Sequence, residues 1–192
     1  MTLRLSGGRR LQSPPGERAR PTASRVRLAV MNLLADRLPG CRWLDLCSGS
    51  GVMACEALQR GAGRVVAIEQ DRRIAAVARA NLAMVERGLG QPGHAELHCG
   101  EVVRWLRRGC SGEGFDIAYA DPPYAAGLYG TIADALLAGG WLRPGGLLLW
   151  ECASRTPPPV PAGWQAVDRR RYGSSSLVLL TAAPSGTSPG ED

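Results

Sequence analysis

Apolar positions along this chain change their period several times, and the changes mark out its elements. Between residues 22 and 38, Val26, Ala29, Val30, Leu33 and Leu34 recur at three- and four-residue steps. That spacing predicts a helix, started by Thr22 or Ser24 and ended by Pro39-Gly40. Short, nearly unbroken apolar runs then alternate with helical stretches. Residues 42–47, 64–69, 96–99, 115–120 and 146–152 read as strands, and about 51–59, 72–87, 101–108 and 128–138 as helices. Strands alternating with helices at this spacing predict a parallel sheet with helices on each side. The rhythm breaks after Pro157-Pro158-Pro159. Runs at 164–171 and 175–181 are joined by Tyr172-Gly173-Ser174 with no helix between them, which predicts an antiparallel hairpin on the sheet's edge. Residues 1–21 are rich in Gly, Pro and Arg, with a turn at Ser13-Pro14-Pro15-Gly16, and are expected to form an extended or hairpin-like arm. The main domain then covers 22–181, and the small, polar stretch 182–192 is expected to be a disordered tail.

Composition narrows the class. At 192 residues and 45% hydrophobic, the chain is expected to be one domain with a real core. No apolar run reaches the roughly 18–20 residues of a membrane helix. The N-terminus lacks the apolar middle of a secretory signal. Its Arg-rich, acid-poor character would also suit an organelle transit peptide, but it runs unbroken into motif-bearing sequence, so a cytoplasmic protein is expected. Six cysteines show no C-x-x-C spacing, and His94 and His98 have no paired-cysteine partner. Reduced thiols and no metal site are expected.

The net charge of +6 is unevenly placed. Every basic residue is Arg. Residues 1–27 carry seven arginines against Glu17 alone, so the rest of the chain sums to zero. An Arg cluster on one end of a neutral domain reads as a phosphate-contacting arm. Arg9, Arg10, Arg20, Arg25 and Arg27, with Thr22 among them, are its candidate nucleic-acid contacts. Ion pairing of Arg20 and Arg25 with the domain's own acids is the competing account.

The candidate chemistry lies at two strand ends. Asp121-Pro122-Pro123-Tyr124 follows the fourth run directly and offers a carboxylate, a rigid carbonyl-bearing turn and an aromatic face. The prolines remove two backbone donors, so the turn presents acceptors. Such a set can hold the exocyclic amine of a flat base, although D-P-P can also simply end a strand. Leu44-Asp45-Leu46-Cys47-Ser48-Gly49-Ser50-Gly51 empties a buried strand into a glycine turn before a helix, where the backbone can approach a ligand closely. Gly49-x-Gly51-x-x-Ala54 also fits a dinucleotide pattern. Glu69, with Gln70 beside it, ends the second strand, where a carboxylate can accept both hydroxyls of a ribose. S-adenosylmethionine is favoured over a nicotinamide for three reasons. A charge at Asp45 inside a strand suits a cationic ligand group; Glu101 can edge an adenine; and the terminal hairpin and D-P-P-Y turn have no counterpart in a nicotinamide domain. Cys47 reads as a small packing residue.

The combination L-D-L-x-x-G-S-G, Ile68-Glu69-Gln70-Asp71 and Asp121-Pro122-Pro123-Tyr124 resembles class I S-adenosylmethionine-dependent methyltransferases that modify exocyclic or amide nitrogens. Arg20-Pro21-Thr22-x-x-Arg25-Val26-Arg27, with Asn32 after it, narrows the resemblance to 16S rRNA guanine-N2 methyltransferases of the RsmD type (guanine-966). It spans about residues 7–180. The resemblance implies a Rossmann-like α/β fold with a mostly parallel seven-stranded sheet. It also implies a substrate within a small-subunit assembly intermediate; a monomer is expected. In that reading Asp45, Ser48, Gly49, Ser50, Gly51, Glu69, Gln70 and Glu101 hold the cofactor. Asp121 and the Pro122 carbonyl grip the amine, and Tyr124 carries the base. Three alternatives stay open: an adenine-N6 methyltransferase on DNA or RNA, a catalytically silent RNA-binding module, and, last, a nicotinamide dehydrogenase.

Overall fold

A computed structural model describes residues 3–14, 24–90, 93–123 and 126–184. Its strands are β1 (Arg42–Leu46), β2 (Arg64–Glu69), β3 (His94–Cys99), β4 (Phe115–Ala120), β5 (Leu142–Ala153), β6 (Trp164–Tyr172) and β7 (Ser175–Ala182). The helices are α1 (Ser24–Leu33), α2 (Val52–Gln59), α3 (Arg72–Arg87), α4 (Val102–Leu106) and α5 (Tyr129–Ala138). The strands form one sheet in the order β3-β2-β1-β4-β5-β7-β6. β1 to β5 run parallel, and β7 lies antiparallel between β5 and β6. This is the expected Rossmann-like sheet with its C-terminal hairpin. The chain winds outward from β1 to β3, then returns to the centre at β4. Ligands of such sheets bind at that switch point, outside the carboxyl ends of the strands.

Helices cover both faces. On one, Val30 and Met31 of α1, nearly all of α2, and Leu82 and Val85 of α3 pack over Trp43, Tyr119, Leu149 and Leu177. On the other, Val103 and Leu106 of α4, Ile132 and Leu136 of α5, and Trp141 cover Leu44, Ile68, Leu148 and Trp150. α3 shows how the sequence fixes an element. Ala75, Ala78, Leu82 and Val85 make its buried stripe, and Asp71 caps it by accepting from Arg73 N (2.8 Å) and Ile74 N (3.1 Å). Such a cap contributes about 1 kcal/mol. Several boundaries differ from the sequence reading. α1 stops at Leu33 and tightens into a 3-10 turn, because Leu34 and Leu38 must both be buried. β3 starts at His94, where pairing with Arg64 extends the ladder. β5 starts at Leu142, paired with Phe115 ahead of a register shift.

The N-terminal segment forms a hairpin, as expected, but it is docked on the domain. Arg4 and Arg10 bridge, and Leu5 N and Leu11 N donate to Arg9 O and Leu3 O, both at 2.9 Å. Leu3, Leu5 and Leu11 are buried in the core beside α1 and α2. Three polar ties fasten it. Glu56 accepts from Ser6 N (2.7 Å) and Ser6 Oγ (2.9 Å). Arg9 donates to Met84 O, Val85 O and Gly88 O at the end of α3. Asn81, fully buried, accepts from Gln12 N (2.8 Å) and donates to Gln12 O and Ser50 O, both at 3.0 Å. One amide therefore joins the hairpin to the glycine turn. Ala182, expected in the tail, instead closes β7 opposite Trp164. Residues 185–192 lie outside the described ones.

Candidate active site

β1 runs out at Leu46, and Cys47-Ser48-Gly49-Ser50-Gly51 leads into α2. Cys47 (φ 64°), Gly49 (55°) and Gly51 (75°) all hold a left-handed backbone. Glycine takes that conformation freely, while for cysteine it costs about 1–2 kcal/mol. The turn is held by its surroundings: Ser48 N donates to Ile68 O at 2.8 Å, Gly51 N to Ser48 O at 2.9 Å, and Gly49 N to Glu69 Oε2 at 2.8 Å. A Cβ on Gly51 would stand 3.2 Å from the Ala78 side chain, so α3 presses on the turn from below. At Gly49 a Cβ would meet nothing within 4 Å, so the turn is open on that side. The Ser48 hydroxyl is buried with no hydrogen-bond partner among the described residues.

Around this opening the fold gathers carboxylates. The register pairs Leu46 with Ile68 and with Ala120, and Ala120 with Trp150. Glu69, Asp121 and Glu151 therefore share one edge with the turn. Asp45, only 1% exposed, accepts from Ala54 N at 2.9 Å in the first turn of α2. Burial, with the charges of Asp121 and Glu69, still pushes its pKa up to about 8. Burial and the charge of Glu151 push Asp121 up to about 7. Burial also raises Glu69, against the pull of backbone N–H groups of Asp71, Gly49 and Gln70. The Cys47 thiol, half-buried among the same acids, is pushed up to about 12 by desolvation and their charges and stays neutral. Asp45, Glu69, Asp121 and Glu151 form no ion pair among the described residues. Uncompensated acids in a low-dielectric pocket are expensive unless a cation arrives. A ligand with fixed positive charge fits this edge, and a metal-type cluster does not occur among the described residues.

The other predicted residues divide. Asp121 is half-buried, and its carboxylate takes no hydrogen bond among the described residues; nor does the Pro122 carbonyl. Pro123 O accepts from Ala126 N at 2.9 Å, which folds the turn back. Tyr124 lies outside the described residues. Gln70 is exposed just beyond β2. Glu101 caps α4, accepting from Val103 N (2.8 Å) and Arg104 N (2.7 Å), so its first duty is structural. It also lines a cleft of about 300 Å³ with His98, Cys99, Trp105 and Arg108.

Two of the arginines assigned to RNA need correction. Arg27 is buried, paired with Glu56 at 3.1 Å, and donates to Arg4 O at 2.6 Å. It cannot also meet a phosphate. Arg9 spends its guanidinium on the carbonyls that end α3. Counting charge along the sequence could not show that Glu56, deep in a buried helix, waits for one of them. Arg10 and Arg25 are exposed and remain available. Arg20 and Thr22 lie outside the described residues.

Glu151 escaped the sequence reading altogether. It is buried, accepts from the Tyr119 hydroxyl at 3.0 Å, and its backbone carbonyl accepts from the Tyr129 hydroxyl at 2.7 Å. A signal was there: one acid inside the apolar run Leu147-Leu148-Leu149-Trp150-Glu151-Cys152.

Known proteins resemble this chain over most of its length. The family described as Conserved hypothetical protein 95 matches residues 5–181. The chain is 30% identical over 182 residues to Ribosomal RNA small subunit methyltransferase D of Escherichia coli (strain K12), covering 94% of this chain and 88% of that protein. The Haemophilus influenzae protein of the same name is 28% identical over 172 residues, covering 90% and 88%. Among solved structures, the Escherichia coli methyltransferase yhhF superposes with a TM-score of 0.80 at 30% identity, covering 95% of this chain and 98% of that one. The rRNA methyltransferase aviRa of Streptomyces viridochromogenes shares the fold, with a TM-score of 0.64 at 21% identity and 88% coverage of each chain.

Proposed function

The chain belongs to the RsmD-type family of small-subunit rRNA methyltransferases, and from that premise we propose that it methylates the exocyclic N2 of a guanine in 16S rRNA, with S-adenosylmethionine as donor. The observation that carries the reading is the set of unpaired carboxylates at the carboxyl edge of β1, β2, β4 and β5. Bound there, S-adenosylmethionine would supply a methyl group on positively charged sulfur. Asp45, the Glu69 carboxylate, the orphan Ser48 hydroxyl and the open side of Gly49 are the groups that would hold it. The cleft beside Glu101 would receive its adenine.

The residues then do the following work. A guanine is turned out of its stack, and Tyr124 supports its face. Its amine is a poor nucleophile, since the nitrogen lone pair is delocalised into the ring. Asp121 and the Pro122 carbonyl each accept one N–H and favour a pyramidal nitrogen whose lone pair is free. Positioning of this kind is worth about 7–11 kcal/mol in favourable cases. Asp121, with its pKa near 7, is also suited to take the proton the nitrogen sheds. Arg10 and Arg25, together with Arg20, are the proposed phosphate contacts.

The test is Asp121→Ala. Turnover on small-subunit rRNA should fall at least about 100-fold, while cofactor affinity at pH 8 moves by less than about tenfold. Equal losses in both, or none, would reject the role. Nucleoside analysis of the product separates N2-methylguanine from N6-methyladenine.

A further inference from the structure

A carboxylate buried beside the amine-gripping turn has no place in the mechanism so far. Glu151 is 4% exposed at the carboxyl end of β5. Because Ala120 pairs with Trp150, it stands next to Asp121 across the strand boundary. Its position is fixed twice, by the Tyr119 hydroxyl on Oε2 and the Tyr129 hydroxyl on its backbone carbonyl. Oε1 takes no hydrogen bond and no ion pair among the described residues. A core needing only packing would hold an apolar residue there, since an acid gives up its hydration on burial. One oxygen anchored and one spare is the arrangement of an acceptor held ready for a donor.

Guanine and adenine differ in what stands next to the amine on the Watson–Crick edge. Guanine carries N1–H, a donor, beside its N2 amine. Adenine carries N1, an acceptor, beside its N6 amine. Two acceptors side by side match the first edge and repel the second.

We propose that Glu151 accepts the N1–H of the target guanine while Asp121 accepts from its amine, so that Glu151 sets the choice of guanine over adenine. The assignment rests on the reading that a guanine amine is methylated. Tyr119 is then a positioning residue. By holding Oε2 it leaves Oε1 as the acceptor. A glutamine at 151 would keep its oxygen on the Tyr119 hydroxyl and turn an NH2 toward the base, replacing attraction to N1–H with a clash of donors.

The experiment uses the full chain, small-subunit 16S rRNA whose modified position has been located by mass mapping, and the same RNA with 2-aminopurine at that position. That base keeps the N2 amine and loses N1–H. The wild-type protein should prefer guanine by at least about 100-fold in kcat/KM. Glu151→Gln should lose about 100-fold on guanine yet less than about tenfold on 2-aminopurine, with cofactor affinity and melting temperature held near wild type. Should Glu151→Gln fold poorly, Tyr119→Phe keeps the carboxylate and should narrow the preference severalfold. Equal use of both RNAs by the wild type, or an equal loss on both in Glu151→Gln, overturns the assignment and leaves guanine methylation intact. Cofactor binding without methylation of any guanine overturns the underlying reading, and this assignment with it.

Discussion

Cofactor binding should be steeply pH-dependent, and in a predicted direction. In the free protein Asp45 titrates at about 8 and Asp121 at about 7. Both values are raised, so near pH 6 both groups are neutral and the site lacks the charge a cationic ligand requires. If the charge on each strengthens binding, lowering the pH from 9 to 6 weakens affinity by up to about 100-fold for Asp45 and up to about tenfold for Asp121. Together that is up to about three orders of magnitude, or roughly 4 kcal/mol. Binding at pH 6 should release close to two protons. Isothermal titration calorimetry with S-adenosylmethionine in buffers of differing ionisation enthalpy reads both quantities. Asp45→Asn should abolish the upper step and Asp121→Asn the lower, which separates these groups from titration of the ligand's own amine. The folding linkage has the matching sign. Both folded values lie above the unfolded carboxylate range, so their contribution to stability is complete below about pH 4. It is lost as pH rises through 7 and 8, and the free protein should melt lower at pH 8.5 than at 5.5. An affinity that changes less than threefold between pH 6 and 9, with no proton released, would refute the account.

Other expectations can be checked one variant at a time. Glu56→Ala takes the carboxylate from buried Arg27 and the acceptor from Ser6, so it should cost about 3–5 kcal/mol and lower the melting temperature by roughly 10 °C. The pair Arg27→Met with Glu56→Leu should regain most of that loss, and failure to do so would argue that Ser6 dominates. Gly51→Ala combines a left-handed φ of 75° with a Cβ 3.2 Å from Ala78. It should cost about 1–2 kcal/mol and weaken cofactor binding beyond that loss, measured by melting and calorimetry. Arg25→Ala should flatten the salt dependence of RNA binding by about 0.7–0.9 in log–log slope. Arg27→Ala should lower stability and leave that slope alone; the reverse pattern would return Arg27 to the RNA face.

Much of the architecture was written in the periodicity. Short apolar runs such as Val65-Val66-Ala67-Ile68, alternating with helical stretches, point to a sheet covered on both sides, and the helix-free spacing after residue 163 announced the antiparallel hairpin. The glycine turn and the D-P-P corner were legible because each carries its own local geometry. What stayed hidden depends on partners distant in sequence. Read on its own helix, Arg27 falls near the edge of the polar side; Glu56, on a helix covered from every side, turns it inward. The hairpin leucines at 3, 5 and 11 looked like parts of a loose arm because nothing nearby told where they would rest. Glu151 is the instructive omission, since the argument that singled out Asp45, a lone acid in a buried strand, applied to it equally.

The hairpin's fastenings also set an order of events. The acceptor of Ser6 lies 50 positions downstream, that of Gln12 69, and the last carbonyl gripped by Arg9 79. A nascent chain emerging amino end first therefore carries the hairpin with its ties from Arg9 and Gln12 unmade until the third helix has been synthesised. Residues made ahead of the helices that hold them are secured late, and until then they are greasy surface that a chaperone or a protease can find.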